Sequence, residues 1–185
     1  MKKLSLLLIT TLIASCAFML SCKKDNAAPA KPTLYDSLGG TAMVTDPTST
    51  SVKIESGRLL IRNIVDSSIF VIAGDTRING HFTVLLAEVT AGNLSGFSAL
   101  SKNLTDFVCV GTGAKNFTYG GKSMAAAHDP AQNSRMNGKA TNADMDAFEE
   151  DLVQGAGQAG VQATNPALAS VAKIVESLRS VVVQQ

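Results

Sequence analysis

The clearest pattern of apolar and polar positions lies in the C-terminal half of the chain. Five apolar residues recur at steps of three, four, three and one, which places them on one face of a helix: Phe97, Leu100, Leu104, Phe107 and Val108. Ser95 or Ser98 is a suitable N-cap for this helix, and Gly111 and Gly113 are suitable terminators. The pattern therefore predicts a helix that starts at Ser95 or Ser98 and ends at Gly111 or Gly113.

Two further helices are predicted beyond residue 140. Thr141 and Asp144 have the spacing of a capping box, and an apolar face follows at Met145, Phe148 and Leu152. Gly155 and Gly157 are expected to stop that helix. The last helix is predicted to open at Asn165-Pro166, with proline in its first position. It carries a continuous apolar stripe made of Leu168, Val171, Ile174, Val175, Leu178 and Val182.

Elsewhere the pattern is less decisive. Residues 58–72 begin with helix-compatible apolar residues but end in Ile69-Phe70-Val71-Ile72, a β-branched run typical of a strand, so helix and strand remain open. Residues 45–51, with Asp46-Pro47 and several hydroxyl residues, are expected to form a loop. Ser123 is expected to start a short turn of helix that ends at His128, and the polar residues 129–138 to form another loop.

The N-terminus indicates export. Lys2 and Lys3 precede an apolar run over residues 4–20, which has the character of a signal peptide. Small residues before Cys22 resemble the lipobox of bacterial lipoproteins, in which the signal is removed and the cysteine is acylated; Cys16 is a second match. We expect residues 1–21 to be a lipoprotein signal peptide and Cys22 to carry the lipid. An ordinary secretory peptide and an uncleaved anchor are the alternatives.

Residues 22–33, with Pro29 and Pro32, are then a lipid-anchored tether that has little apolar surface to bury. Without residues 1–21, 14 basic and 15 acidic residues remain, a net charge of −1 that excludes a nucleic-acid-binding footprint. If Cys16 and Cys22 belong to export, Cys109 is alone, so no internal disulfide is expected; a buried thiol is its expected role. The remaining length suits one domain.

Candidate chemistry centres on one of two histidines. His128 ends an alanine-rich turn that follows a glycine pair and Met124, where an imidazole can ligate a metal or haem; a buried, hydrogen-bonded histidine is the alternative. The run from Tyr119 through Met124 to His128 resembles the proximal segment of the group I truncated haemoglobins. Leu34–Gly40 resembles the opening of that family, and Val65–Phe82 is similar to its helix B and the corner that follows.

The resemblance implies an all-α, truncated globin-like helical sandwich around a haem pocket in residues 34–185, with residues 58–72 helical. It implies haem b as cofactor and His128 as the proximal iron ligand. The pocket lining that it implies is Ile69, Phe82, Leu100, Leu104, Phe107, Val108, Tyr119, Met124 and Phe148. His81 is expected at the corner, beside the haem edge or solvent. Lys115, Lys122 or Arg77 would pair with the propionates. Residues 43–56 and 83–95 and the loop after His128 depart from the family.

The expected function is binding of oxygen or another diatomic gas at the cell envelope, with membrane lipid as a partner through acylated Cys22. Family members that hold oxygen tightly use a tyrosine and often a glutamine over the iron, whereas this chain has Ile69, Leu100 and Leu104 there. A peroxidase or nitric-oxide dioxygenase is an alternative that the missing distal polar groups weaken. A haem-free envelope protein of globin fold is the other.

Overall fold

Helices make up most of the computed structural model, which describes residues 31–185. In this part of the chain the helices are α1 (Leu34–Ser37), α2 (Ser56–Gly74), α3 (Thr83–Thr90), α4 (Ser95–Gly111), α5 (Met124–His128), α6 (Asn142–Gln158), α7 (Pro166–Glu176) and α8 (Arg179–Val182). A 3₁₀ turn covers Asn79–Phe82, and two strands, β1 (Met43–Asp46) and β2 (Ser49–Glu55), form an antiparallel hairpin. The predicted helical architecture is confirmed, with the hairpin as an addition to it.

Helix α2 is the centre of the packing, because α6 and α4 both lie against it. Its buried residues recur every three or four positions and include Ile61, Val65, Ile69 and Ile72. Phe70, inside the strand-like run, points outward and is 66% exposed. The run therefore forms helix because a helical period buries Ile69 and Ile72 on one side, and this burial outweighs the β preference of the residues.

The close approach of α2 and α6 depends on Gly155. A Cβ atom at this position would lie 2.5 Å from the backbone nitrogen of Ser68 and 2.6 Å from its Cα atom. The prediction that Gly155 and Gly157 stop the helix is therefore wrong: α6 continues through both to Gln158. The C-terminal cap lies just beyond the helix: Gly160 has a φ of 85°, and the amides of Gly160 and Val161 donate to the carbonyls of Gly157 and Ala156.

The predicted loop over residues 45–51 is also wrong in part, since most of it lies in the hairpin. Met43 pairs with Glu55 and Val44 with Ile54. The serine and threonine residues suggested a loop, yet threonine is β-branched and suits a strand. Asp46 holds the hairpin to α2, because its carboxylate accepts two hydrogen bonds of 2.8 Å from the Arg62 guanidinium. The second departing stretch, residues 83–95, contains helix α3.

The predicted helix starts are confirmed where a local cap determines them. Thr141 and Asp144 form the capping box of α6, and Asn165 caps α7 with Pro166 in the first turn. Helix α4 begins at Ser95, but the prediction that Ser95 or Ser98 caps it is wrong: its N-cap is Leu94, which makes no side-chain capping bond, and the Ser95 amide donates to Asn93 Oδ1.

The prediction of one continuous C-terminal helix is wrong. Helix α7 stops at Glu176, and α8 follows after Ser177 and Leu178. The apolar stripe is preserved across the break, because Val175 and Val182 are both buried in the main core. The spacing of apolar residues therefore predicted the burial but not the interruption of the helix.

The residues from Pro32 to Gln185 form one compact unit. The predicted signal peptide, the proposed lipid site Cys22 and the tether up to residue 30 lie outside the described residues. Between residues 31 and 185, no helix combines the length and the apolar character that crossing a membrane requires.

Candidate functional site

His128 is held so that one ring nitrogen faces away from the backbone. The side chain is half-buried at the end of α5, and its Nδ1 lies 2.8 Å from the carbonyl oxygen of Met124. A carbonyl only accepts, so Nδ1 carries the proton and Nε2 keeps its lone pair in the neutral ring. No residue within 31–185 makes a hydrogen bond to Nε2. This is the arrangement of an imidazole that can ligate a metal.

Helix α5 has only five residues, so hydrogen bonds from its surroundings must hold it in place. Ser123 caps its first turn by accepting from the Ala126 amide at 3.2 Å. Asn133 donates to the Ala127 carbonyl at 2.7 Å, and Gln184 donates to the Ala125 carbonyl at 2.8 Å. Sequence reasoning predicted that Ser123 starts this turn of helix but missed both amides, because neither belongs to a recognisable motif.

Helix α4 carries its polar residues inside and its large apolar residues at the edge. Its buried positions include Ser101, Thr105, Asp106 and Cys109. Ser101 donates to Asp66 at 2.5 Å, and Asp106 pairs with Arg58 at 2.6 Å, so a polar seam joins α4 to α2. The predicted apolar face of α4 is only half-buried: Leu100, Leu104, Phe107 and Val108.

The other predicted lining residues divide among three places. Phe82 and Phe148 pack on a small cluster made of Ile72, Ile78 and Ala147. Phe148 also packs on the main core, as do Leu100, Leu104 and Val108. Tyr119 meets Phe107 edge to face with ring centroids 5.4 Å apart, and its hydroxyl donates to the Lys122 carbonyl at 2.5 Å. Met124 is half-buried, whereas Ile69 is 7% exposed and belongs to the main core.

No protein-family model matches the chain, and no curated protein matches it in sequence. Solved structures do match, and they include crystal structures of two variants of truncated hemoglobin from Tetrahymena pyriformis, both in the Fe(III) form. They are 21% and 22% identical to this chain, cover 83% of it and are covered over 100% of their own length, each with a TM-score of 0.57. The chain has a truncated globin fold. At this level of identity the match defines the architecture, and the residues of the site must carry the chemistry.

The second histidine of the globin domain is engaged on both ring nitrogens. His81 Nδ1 lies 2.7 Å from the Asn137 carbonyl oxygen, and Nε2 lies 3.2 Å from Asp144 Oδ2. Burial alone would raise the pKa of Asp144, but hydrogen bonds from Thr141 and His81 bring it below its usual range. His81 therefore joins the corner after α2 to the start of α6, and neither nitrogen is free to ligate iron.

Arg77, one of the predicted propionate partners, makes ion pairs with carboxylates of its own chain. Its guanidinium bonds to Asp75 at 2.7 Å and to Glu150 at 2.6 Å, and it lies 3.9 Å from the buried Asp151. Burial, together with the negative charge of Asp75, raises the pKa of the Asp151 carboxyl although Arg77 opposes this. Lys115 and Lys122, the other two predicted partners, are exposed.

Cys109 has the expected structural role. It is free and fully buried in the main core, close to Arg58 at 4.0 Å. Burial raises the pKa of its thiol to about 11, so the thiol stays protonated and unreactive at neutral pH.

Proposed function

We propose that this globin domain binds haem b through His128 and takes up a diatomic gas such as oxygen, as a group I truncated haemoglobin variant. The geometry of His128 carries the proposal: Nδ1 is tied to the Met124 carbonyl, and Nε2 is left with a free lone pair at a half-buried position. A buried structural histidine would use both nitrogens within the protein, as His81 does.

The half-buried apolar residues fit the same ligand. A haem is a flat apolar disc that needs apolar walls from several helices. Eight of the predicted lining residues keep part of their surface open, on α4, α5, α6, the 3₁₀ turn and the loop before α5: Phe82, Leu100, Leu104, Phe107, Val108, Tyr119, Met124 and Phe148. Ile69, the ninth predicted lining residue, is buried in the main core. Covering such apolar surface with a ligand stabilises the protein by about 25 cal/mol per Å² removed from water.

The residues of the site would then have two roles in binding haem. His128 would anchor the group, and the apolar side chains would exclude water from its faces. A bound haem supplies an iron atom that can take a diatomic gas. We favour gas binding over redox catalysis because Ile69, Leu100 and Leu104 hold no group that exchanges protons.

Haem uptake by the haem-free protein tests the proposal. Titration with haemin is expected to give a saturable Soret band at one haem per chain, and a carbon monoxide complex after reduction. A protein that shows no saturable uptake, yet is folded by circular dichroism, would instead be a haem-free binding module of globin fold.

We also propose that acylated Cys22 anchors the domain to a membrane at the bacterial cell envelope. The support is the apolar run before Cys22 and the proline-containing tether after it. Metabolic labelling with a lipid analogue is expected to tag the protein, and Cys22→Ser to abolish the tag while Cys16→Ser keeps it. Equal labelling of wild type and Cys22→Ser would rule out this residue.

A further inference from the structure

The last three residues lie beside the segment that joins His128 to α6. Val183 forms a parallel bridge with Ala140, and the Gln184 amide nitrogen donates to the Ala140 carbonyl at 3.1 Å. Gln185 Nε2 donates to the Lys139 carbonyl at 2.8 Å. We call residues 183–185 the C-terminal strap. It is fixed at its start, because Val182 is buried and Val183 packs on the main core.

Gln184 extends from this strap to the histidine helix. Its backbone is bound to Ala140, while its side-chain Nε2 donates to the Ala125 carbonyl in α5 at 2.8 Å. Ala125 follows Met124, the residue whose carbonyl holds Nδ1 of His128. Helix α8, directly before the strap, packs against α5. The hydrogen bond from Gln184 therefore joins an anchored part of the fold to the residue next to the partner of His128.

The bond matters because α5 is too short to be stable alone. Isolated helices shorter than about 12 residues are marginal in water. Ser123 and Asn133 lie in the same segment as α5 and can move with it, whereas Gln184 is 59 residues away from Ala125 in sequence. Among residues 31–185, Gln184 therefore supplies the hydrogen bond that ties α5 to a distant part of the chain, in addition to the packing of α8 against α5.

We propose that Gln184 is a positioning residue that holds α5 where His128 presents Nε2 to its ligand. The consequence for haem rests on the proposed function, whereas the hold on α5 is a property of the haem-free chain. Gln184→Met keeps the side-chain length and removes the donor. Gln185→Met is the matched control, because it removes an equivalent amide bond that goes to Lys139 instead of α5.

Amide hydrogen exchange of the haem-free, full-length protein tests the hold on α5. Loss of one hydrogen bond of typical strength is expected to speed exchange in residues 124–128 by about fivefold in Gln184→Met and to leave it unchanged in Gln185→Met. Thermal unfolding checks that both variants are folded. Unchanged exchange in Gln184→Met, or equal acceleration in both variants, overturns the proposal.

Transfer of haem to excess apomyoglobin tests the consequence for the ligand. Haem loss is expected to be about fivefold faster in Gln184→Met than in wild type or Gln185→Met. Faster exchange without faster haem loss overturns the positioning role. A wild-type protein that takes up no haem overturns the proposed function, and the exchange experiment then decides alone whether Gln184 holds α5.

Discussion

The contact between α2 and α6 makes Gly155→Ala the sharpest test of the fold. The added Cβ atom would meet the Oγ atom of Ser68 and lie 2.5 Å from its backbone nitrogen. Ordinary contact begins at 3.4 Å, so the two helices would have to separate by about 0.9 Å, the difference between these distances. The Ser68 hydroxyl can turn away, but its backbone nitrogen is fixed inside α2.

The magnitude follows from two opposing effects. Overpacking of a core costs about 1–3 kcal/mol, and a rigid backbone neighbour places Gly155→Ala near the upper end. Alanine is favoured over glycine within a helix by about 0.5–1 kcal/mol. The net loss is about 2 kcal/mol, which corresponds to a fall in Tm of roughly 4–8 °C for a domain of this size.

Gly157→Ala is the matched control, because Gly157 is exposed in the same helix and a Cβ atom there meets nothing within 4 Å. It should gain the helix preference alone and raise Tm by roughly 1–4 °C. Thermal unfolding followed by far-ultraviolet circular dichroism measures both variants. Gly155→Ala that melts at or above the wild-type temperature would refute the packing argument.

Three further predictions follow from single side chains. The Thr105 hydroxyl is buried without a partner among the described residues, so Thr105→Val should raise the free energy of unfolding by about 1 kcal/mol in chemical denaturation. Thr112→Val should lower it by about as much, because the Thr112 hydroxyl donates to two backbone carbonyls. Changes of the same sign in both variants would contradict this reasoning. Leu100→Gln adds a hydrogen-bond donor to the apolar face of α4 and should slow oxygen dissociation from the reduced haem protein by roughly 10- to 150-fold in stopped flow. Val110→Gln, at an exposed position of the same helix, should leave the dissociation rate unchanged. Equal rates in the two variants would refute the placement of Leu100 over the iron. The pKa of Asp151 is raised on folding, so its charged form opposes folding at neutral pH. Asp151→Asn should therefore raise the free energy of unfolding at neutral pH, and this gain should disappear below about pH 4. A gain that does not depend on pH would be inconsistent with this reasoning.

Sequence predicted those parts of the fold that local interactions determine. The caps of α6 and α7 at Thr141 and Asn165 and the end of α4 near Gly113 depend on residues within one turn. Gly155 looked the same as a terminating glycine, and only its contact with Ser68 shows its role. Such a contact joins residues far apart in sequence, so no local pattern indicates it.

The same division holds for the candidate site. The alanine-rich turn ending at His128 was predictable, and the bond from its Nδ1 to Met124 follows from helical spacing of four residues. The half-buried state of the α4 apolar face was not predictable, because it depends on the polar seam that Asp106 of α4 makes with Arg58 of α2. Gln184, which holds α5 from the end of the chain, carried no sequence signal.

Rescue of a cavity variant tests the central claim, that His128 is the iron ligand, most directly. His128→Gly is expected to lose most of the Soret absorbance after haem titration and to regain it when imidazole is added, because free imidazole can occupy the space of the missing ring. His81→Ala should keep the wild-type spectrum, since both His81 nitrogens are engaged within the protein. A His128→Gly protein that retains haem as wild type does, without imidazole, would contradict the assignment.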